Sequence, residues 1–94
     1  MRLDSLLHAL CLIKTRSQAG RACSEGRVFV NGNAARASKE IRAGDRILWR
    51  DPLNRTEREV EIVEVPQGHV SRADARAFYR DISSRAVEDP WVRP

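Results

Sequence analysis

Aromatic residues make up only 5% of this 94-residue chain. A single hydrophobic core at this length must therefore rest on Leu, Ile, Val and Ala. Cysteine is as scarce. Cys11 and Cys23 stand twelve residues apart, a spacing of neither a zinc knuckle nor a redox pair, and read as reduced, part-buried thiols. His8 and His69 are single and far apart. No metal site and no cofactor are expected. No Ser/His/Asp set, carboxylate pair or phosphate loop stands out, and the chain is too short to bury a deep active-site cavity beside a core. The reading is therefore not an enzyme, with no small-molecule substrate. The apolar start, Leu3 to Ile13, is broken by Asp4, Ser5 and His8 and followed by Lys14 and Arg16 with no small-residue cleavage site. It fits neither a signal peptide nor a membrane span, so a cytoplasmic protein is expected.

What the chain does have is positive charge, unevenly placed. The net charge is +4 and the isoelectric point about 9.8. Residues 1–50 carry ten Lys/Arg against four Asp/Glu, net +6, and residues 51–94 carry seven against nine, net −2. Such a balance argues for a polyanionic partner met by the first half.

Periodicity divides the same half into helices and strands. Leu3, Leu6, Leu7 and Leu10 fall at i, i+3, i+4 and i+7, which predicts an amphipathic helix ending around Leu12 to Lys14. A second helix starts at Thr15 or Ser17, either of which can cap it. It presents a narrow face of Ala19, Ala22 and Cys23 and stops at Gly26. The period then changes. Arg27-Val28-Phe29-Val30 is β-prone and runs into Asn31-Gly32, a strong hairpin signal, with Ala34-Ala35 pairing back. Residues 46–49 read as a strand, 51–54 as a turn, and 59–65 as a half-buried strand with Val60, Ile62 and Val65 as its inward candidates. Ser71 caps a third helix whose apolar stripe is Ala75, Phe78, Tyr79 and Ile82. The fold class is α+β: a helical hairpin on a small, mostly antiparallel sheet, with a short C-terminal helix. The expected layout is one domain over 1–66 (core motif 2–49), a C-terminal helix within 67–87 that packs on it and a flexible tail over 88–94. In that tail Trp91 either tucks against the sheet or meets a partner.

The cations Arg2, Lys14, Arg16, Arg21, Arg27, Arg36, Lys39, Arg42 and Arg46 are interleaved with the small donors Thr15, Ser17, Asn31 and Ser38. The N-terminus of the second helix opens into the same neighbourhood, a natural place for phosphate. Arg adds bidentate forks that Lys cannot. The stretch RLDSLLHALCLIKTRSQAGRACSEGRVFVNGNAARASKEIRAGDRI resembles the RNA-binding domain of the ribosomal protein S-four type, the alpha-L RNA-binding motif. The resemblance rests on the Arg-Leu-Asp start, the Lys-Thr-Arg-Ser link, the Val-Asn-Gly hairpin and the Gly-Asp turn, in that order. In length the chain is similar to the small stand-alone bacterial members, the ribosome quality-control P-site factor group and the ribosome-associated heat-shock protein fifteen group. The resemblance implies binding to ribosomal RNA and tRNA on large ribosomal subunits that hold a stalled peptidyl-tRNA. Carried over residue by residue, it assigns the RNA-facing positions to Arg2, Lys14, Thr15, Arg16, Ser17, Arg21, Arg27, Asn31 and Lys39. Asp4 matches the pattern as well; a carboxylate is a poor phosphate ligand, so it is expected to orient Arg2 or to cap the first helix. A monomer is expected. The rival reading is an RNA-binding adaptor or regulator acting off the ribosome through a protein partner.

Overall fold

The computed structural model describes residues 1–51 and 55–86. Helix α1 spans Leu3–Ala9 and α2 spans Arg16–Ser24. Strands β1 (Val28–Val30), β2 (Asn33–Ala34), β3 (Arg46–Asp51) and β4 (Thr56–Ile62) follow. A short helix α3 (Arg72–Ala75) runs into a 3-10 turn (Arg76–Phe78) and then strand β5 (Tyr79–Ala86). The sheet has the order β2-β1-β3-β4-β5, with every neighbouring pair antiparallel.

The leucine period does what its spacing predicts. Leu3, Leu6, Leu7 and Leu10 are all buried on one side of α1, against the small residues Ala19, Ala22 and Cys23 of α2. Small side chains there let the two helices approach closely. One face of the sheet closes the core. The register places Val28 beside Trp49, Val30 beside Ile47 and Ile47 beside Val60, so these side chains share that face with Ile62. The opposite face carries half-buried Phe29 and Leu48, with the Arg50 guanidinium 5.6 Å from the centre of the Phe29 ring.

Both helices of the hairpin end in the same way. In α2 the Arg27 N–H donates to the Ala22 carbonyl and the Gly26 N–H to that of Cys23, with Gly26 at φ +73°. This is a Schellman motif on the expected glycine. In α1 the Leu12 N–H donates to Leu7 and the Cys11 N–H to His8. The left-handed residue is Cys11, at φ +58°. That is why α1 stops at Ala9 instead of running on to Leu12 or beyond. Cys11 is also exposed rather than part-buried, while Cys23 is buried as expected. The Asn31-Gly32 pair has φ +52° and +87° and joins β1 to β2 as a two-residue turn with positive φ at both positions.

The C-terminal element departs most from expectation. Helix occupies only Arg72–Ala75, extended by the 3-10 turn, and the supposed helical stripe is split. Ala75 is buried, whereas Tyr79 and Ile82 belong to an eight-residue strand. The physical reason lies on β4, whose outer row of N–H and C=O groups needs partners. Residues 79–86 supply them, with a bulge that leaves Ile82 between the pairs Val60–Asp81 and Glu59–Ser83. Tertiary pairing overrides the local period. Strand β4 also starts and ends earlier than expected. The Val63 and Glu64 N–H groups turn away from the ladder to the Phe78 carbonyl. The expected turn at 51–54 falls in part, and the tail with Trp91 entirely, outside the described residues.

Cys11 occupies a backbone conformation that favours glycine, and its side chain is exposed, so Cys11→Gly is expected to stabilise the fold by about 0.5–1 kcal/mol. For a domain of this size that raises the thermal midpoint by roughly 2–8 °C. A calorimetric scan in reducing buffer checks it, and a lowered midpoint contradicts the assignment of the α1 cap.

Candidate nucleic-acid interface

Asp4 organises the basic end of the hairpin. It is 6% exposed, at the second position of α1. The Arg2 guanidinium grips it with two bonds, Nε to Oδ1 and Nη2 to Oδ2, each 3.2 Å. Arg16 Nε approaches Oδ2 at 3.6 Å from the first position of α2. The Ser5 N–H donates to Oδ1 at 2.8 Å. Asp4 therefore orients Arg2, the first of the two expectations for it; it does not cap the helix, whose N-cap is Arg2, but accepts the Ser5 N–H from within the first turn. It also reaches Arg16, which the sequence did not indicate. The two guanidiniums remain about half exposed, at 50% and 56%. One buried carboxylate thus holds two cations side by side at the positive end of α2, leaving net positive charge and spare N–H donors facing solvent.

The neighbouring elements bring further positive charge. The Lys39 carbonyl accepts from the Leu3 N–H at 2.8 Å and the Ala37 carbonyl from the Asp4 N–H at 3.1 Å. The 35–39 loop is thereby pinned across the start of α1, next to Arg2. Lys14 precedes α2 and is exposed. The Thr15 hydroxyl caps α2 by accepting from the Gln18 N–H at 3.0 Å, which occupies it structurally. Ser17 and Arg21 lie exposed one helical turn apart on α2. Among the described residues, the side chains of Lys14, Arg21, Arg36, Lys39 and Arg42 have no ion-pair partner. Three cations of the strands are placed differently. Arg50 pairs with Glu57, Arg58 with Asp81, and Arg80 with Glu61.

Two of the residues singled out from the sequence are engaged within the fold. Arg27 donates from Nε and Nη2 to Glu25 (2.9 and 2.7 Å) and from Nη1 to the Arg50 carbonyl (2.9 Å), tying the start of β1 to β3. Asn31 accepts from the Arg46 N–H at 2.9 Å and donates to Asp45 at 3.1 Å. Asp45 in turn accepts from the Arg42 N–H, so the Asn31-Gly32 and Gly44-Asp45 turns are clamped together. Conversely, Arg36 lies outside the carried-over set, yet its loop brings it near Lys39. Its three-residue spacing from Lys39 was the available signal. No group of His, Cys, Asp and Glu suited to a metal ion occurs among the described residues, and none of their helices is long and apolar enough to cross a membrane.

The arrangement defines a class: a small α+β module whose helical hairpin presents a fixed cationic end. Comparison with known proteins gives the family. A model of the S4 domain matches residues 1–47, half of the chain. The RQC P-site tRNA stabilizing factor of Helicobacter pylori is 47% identical over 47 residues, which are 50% of this chain and 56% of that protein. The chain thus spans little more than half the length of some of the curated relatives it matches. The factor of the same name from Streptococcus pneumoniae is 30% identical over 95% of this chain and 98% of its own length. The structure of heat shock protein 15 from Vibrio cholerae, described as trimeric, superposes with a TM-score of 0.78 at 30% identity, covering 88% of this chain and 82% of that one. This chain belongs to the S4 domain family.

Buried Cys23 offers a probe of the site's packing. Burial pushes its thiol up, the Asp4 carboxylate adds to the rise, and Arg27 opposes it. The nucleophile is the thiolate, so Cys23 is expected to resist alkylation near neutral pH. Iodoacetamide should modify Cys11 in the folded protein at least about tenfold faster than Cys23, with the two rates converging in denaturant. Peptide mass spectrometry over time reads both, and equal rates in the native state would contradict the packing of α2 on Asp4.

Proposed function

We propose that this protein binds ribosomal RNA, and with it peptidyl-tRNA, on the large ribosomal subunit, and that it acts in the rescue of stalled ribosomes in the cytoplasm. It does so as a binding module and catalyses no reaction. The observation that carries this reading is the pair of guanidiniums, Arg2 and Arg16, fixed side by side on buried Asp4 at the start of α2. A-form RNA hides its base edges in a deep groove, so a protein reads its phosphate spacing and 2′-hydroxyls. A preset pair of planar forks suits phosphate oxygens and loses little side-chain freedom on binding. Lys14, Ser17, Arg21 and Lys39 extend the contact as exposed donors around that pair. The names of the relatives, which refer to stabilising P-site tRNA, support the ribosomal setting.

Arg16→Glu is expected to abolish co-sedimentation with purified large subunits while the protein still melts cooperatively. Arg16→Gln should weaken it by about tenfold, as loss of a charge-assisted contact does. Affinity should fall with a log–log salt slope of roughly −3 if four phosphates are neutralised. Unchanged sedimentation of the Arg16 variants, or a flat salt response, would favour the protein-partner reading. The exposed apolar residues Val63 and Ile82 would then be the candidate contacts.

A further inference from the structure

Beside the cationic cluster lies a groove of about 370 Å³. Val30 and Ala35, which lie on the core side of the β1–β2 pair, give it an apolar floor, and Asn31, Asn33, Arg36, Ser38 and Lys39 give it a polar border. A groove of that size exceeds what a phosphate ion fills and sits at the small end of organic-ligand sites. An inorganic anion would also leave the apolar part without a role. The side chains of Arg36, Ser38 and Lys39 make no hydrogen bond within the protein among the described residues, so their donors are available.

From this juxtaposition we infer that the groove takes one unpaired nucleotide of the bound RNA, its base on the Val30/Ala35 floor and its phosphate on Arg36 and Lys39. The inference rests on the RNA-binding reading above and deepens it. An unpaired nucleotide is the unit that brings an apolar base face and an anion together at this spacing. Within an A-form helix the base faces are stacked and cannot enter. The planar Arg36 guanidinium supplies a stacking partner where the groove has no aromatic ring. Lys39 links the two regions. Its carbonyl is bonded to the Leu3 N–H at the start of α1, while its side chain borders the groove. A strand leaving the Arg2–Asp4–Arg16 cluster therefore meets the groove next.

The test uses the full chain and two short RNA hairpins of equal length, one fully paired and one with a single bulged 2-aminopurine. The bulged hairpin is expected to bind about fivefold to tenfold more tightly, as one base contact provides, with a change in 2-aminopurine fluorescence. Ala35→Leu fills the apolar part; it should remove that preference and leave affinity for the paired hairpin within about twofold. In the unsubstituted chain, 4-thiouridine at the bulge should crosslink to a peptide within residues 30–39, a readout that does not depend on the variant folding. Equal affinity for both hairpins, or crosslinks confined to residues 2–21, overturns the groove and leaves the RNA-binding reading standing. Failure to bind either hairpin overturns both.

Discussion

A carboxylate that is almost fully buried must be paired, because an uncompensated charge in that position is too costly to keep. Asp4 is such a group, and much of the first half is arranged around its compensation. Arg2 reaches it from the residue before α1, Arg16 from the first residue of α2, and the Ser5 N–H from within α1. The backbone N–H groups of Leu3 and Asp4 bring in the 37–39 loop. Three separate stretches of chain thus converge on one end of the helical hairpin. The same contacts that satisfy the carboxylate fix the directions of two guanidiniums. Stability and presentation of charge come from one arrangement.

The rest of the fold supports that end. The leucines of α1 and the small residues of α2 press the hairpin onto the sheet, and the sheet continues the support away from the cluster. Cations of the central and outer strands are paired within the sheet. Arg58 lies 5.7 and 5.6 Å from the ring centres of Trp49 and Tyr79 and bonds to Asp81, so its charge is spent inside the strand layer. The uneven charge along the sequence becomes an uneven supply of unpaired donors in space. That supply is what a polyanion can use.

Much of this was legible from the sequence wherever a residue type announces its backbone. The leucine period named the buried face of α1. Thr15, Gly26 and Asn31-Gly32 marked a cap, a helix stop and a hairpin, because few residue types tolerate those positions. What stayed hidden was set by partners distant in sequence. Cys11 closes α1 in the conformation where glycine is usual, so no glycine signalled the stop. Tyr79–Ala86 carries part of a helical stripe and becomes a strand because β4 has an unfilled edge. In the site, the sequence pointed to the cationic hairpin and tied Asp4 to Arg2. It did not indicate that Asp4 also reaches Arg16, or that Arg27 and Asn31 are occupied within the fold. Charge and spacing alone do not reveal whether a guanidinium already has a partner.

The central claim is that the Asp4-held pair meets RNA on the large ribosomal subunit. A cryo-EM map of the protein on large subunits purified from cells tests it most directly. The account predicts Arg2 and Arg16 within hydrogen-bonding distance of ribosomal RNA or tRNA phosphates, with the outer sheet face of Phe29 and Leu48 away from that contact. A map in which the sheet face makes the contact, with Arg2 and Arg16 turned to solvent, would contradict it.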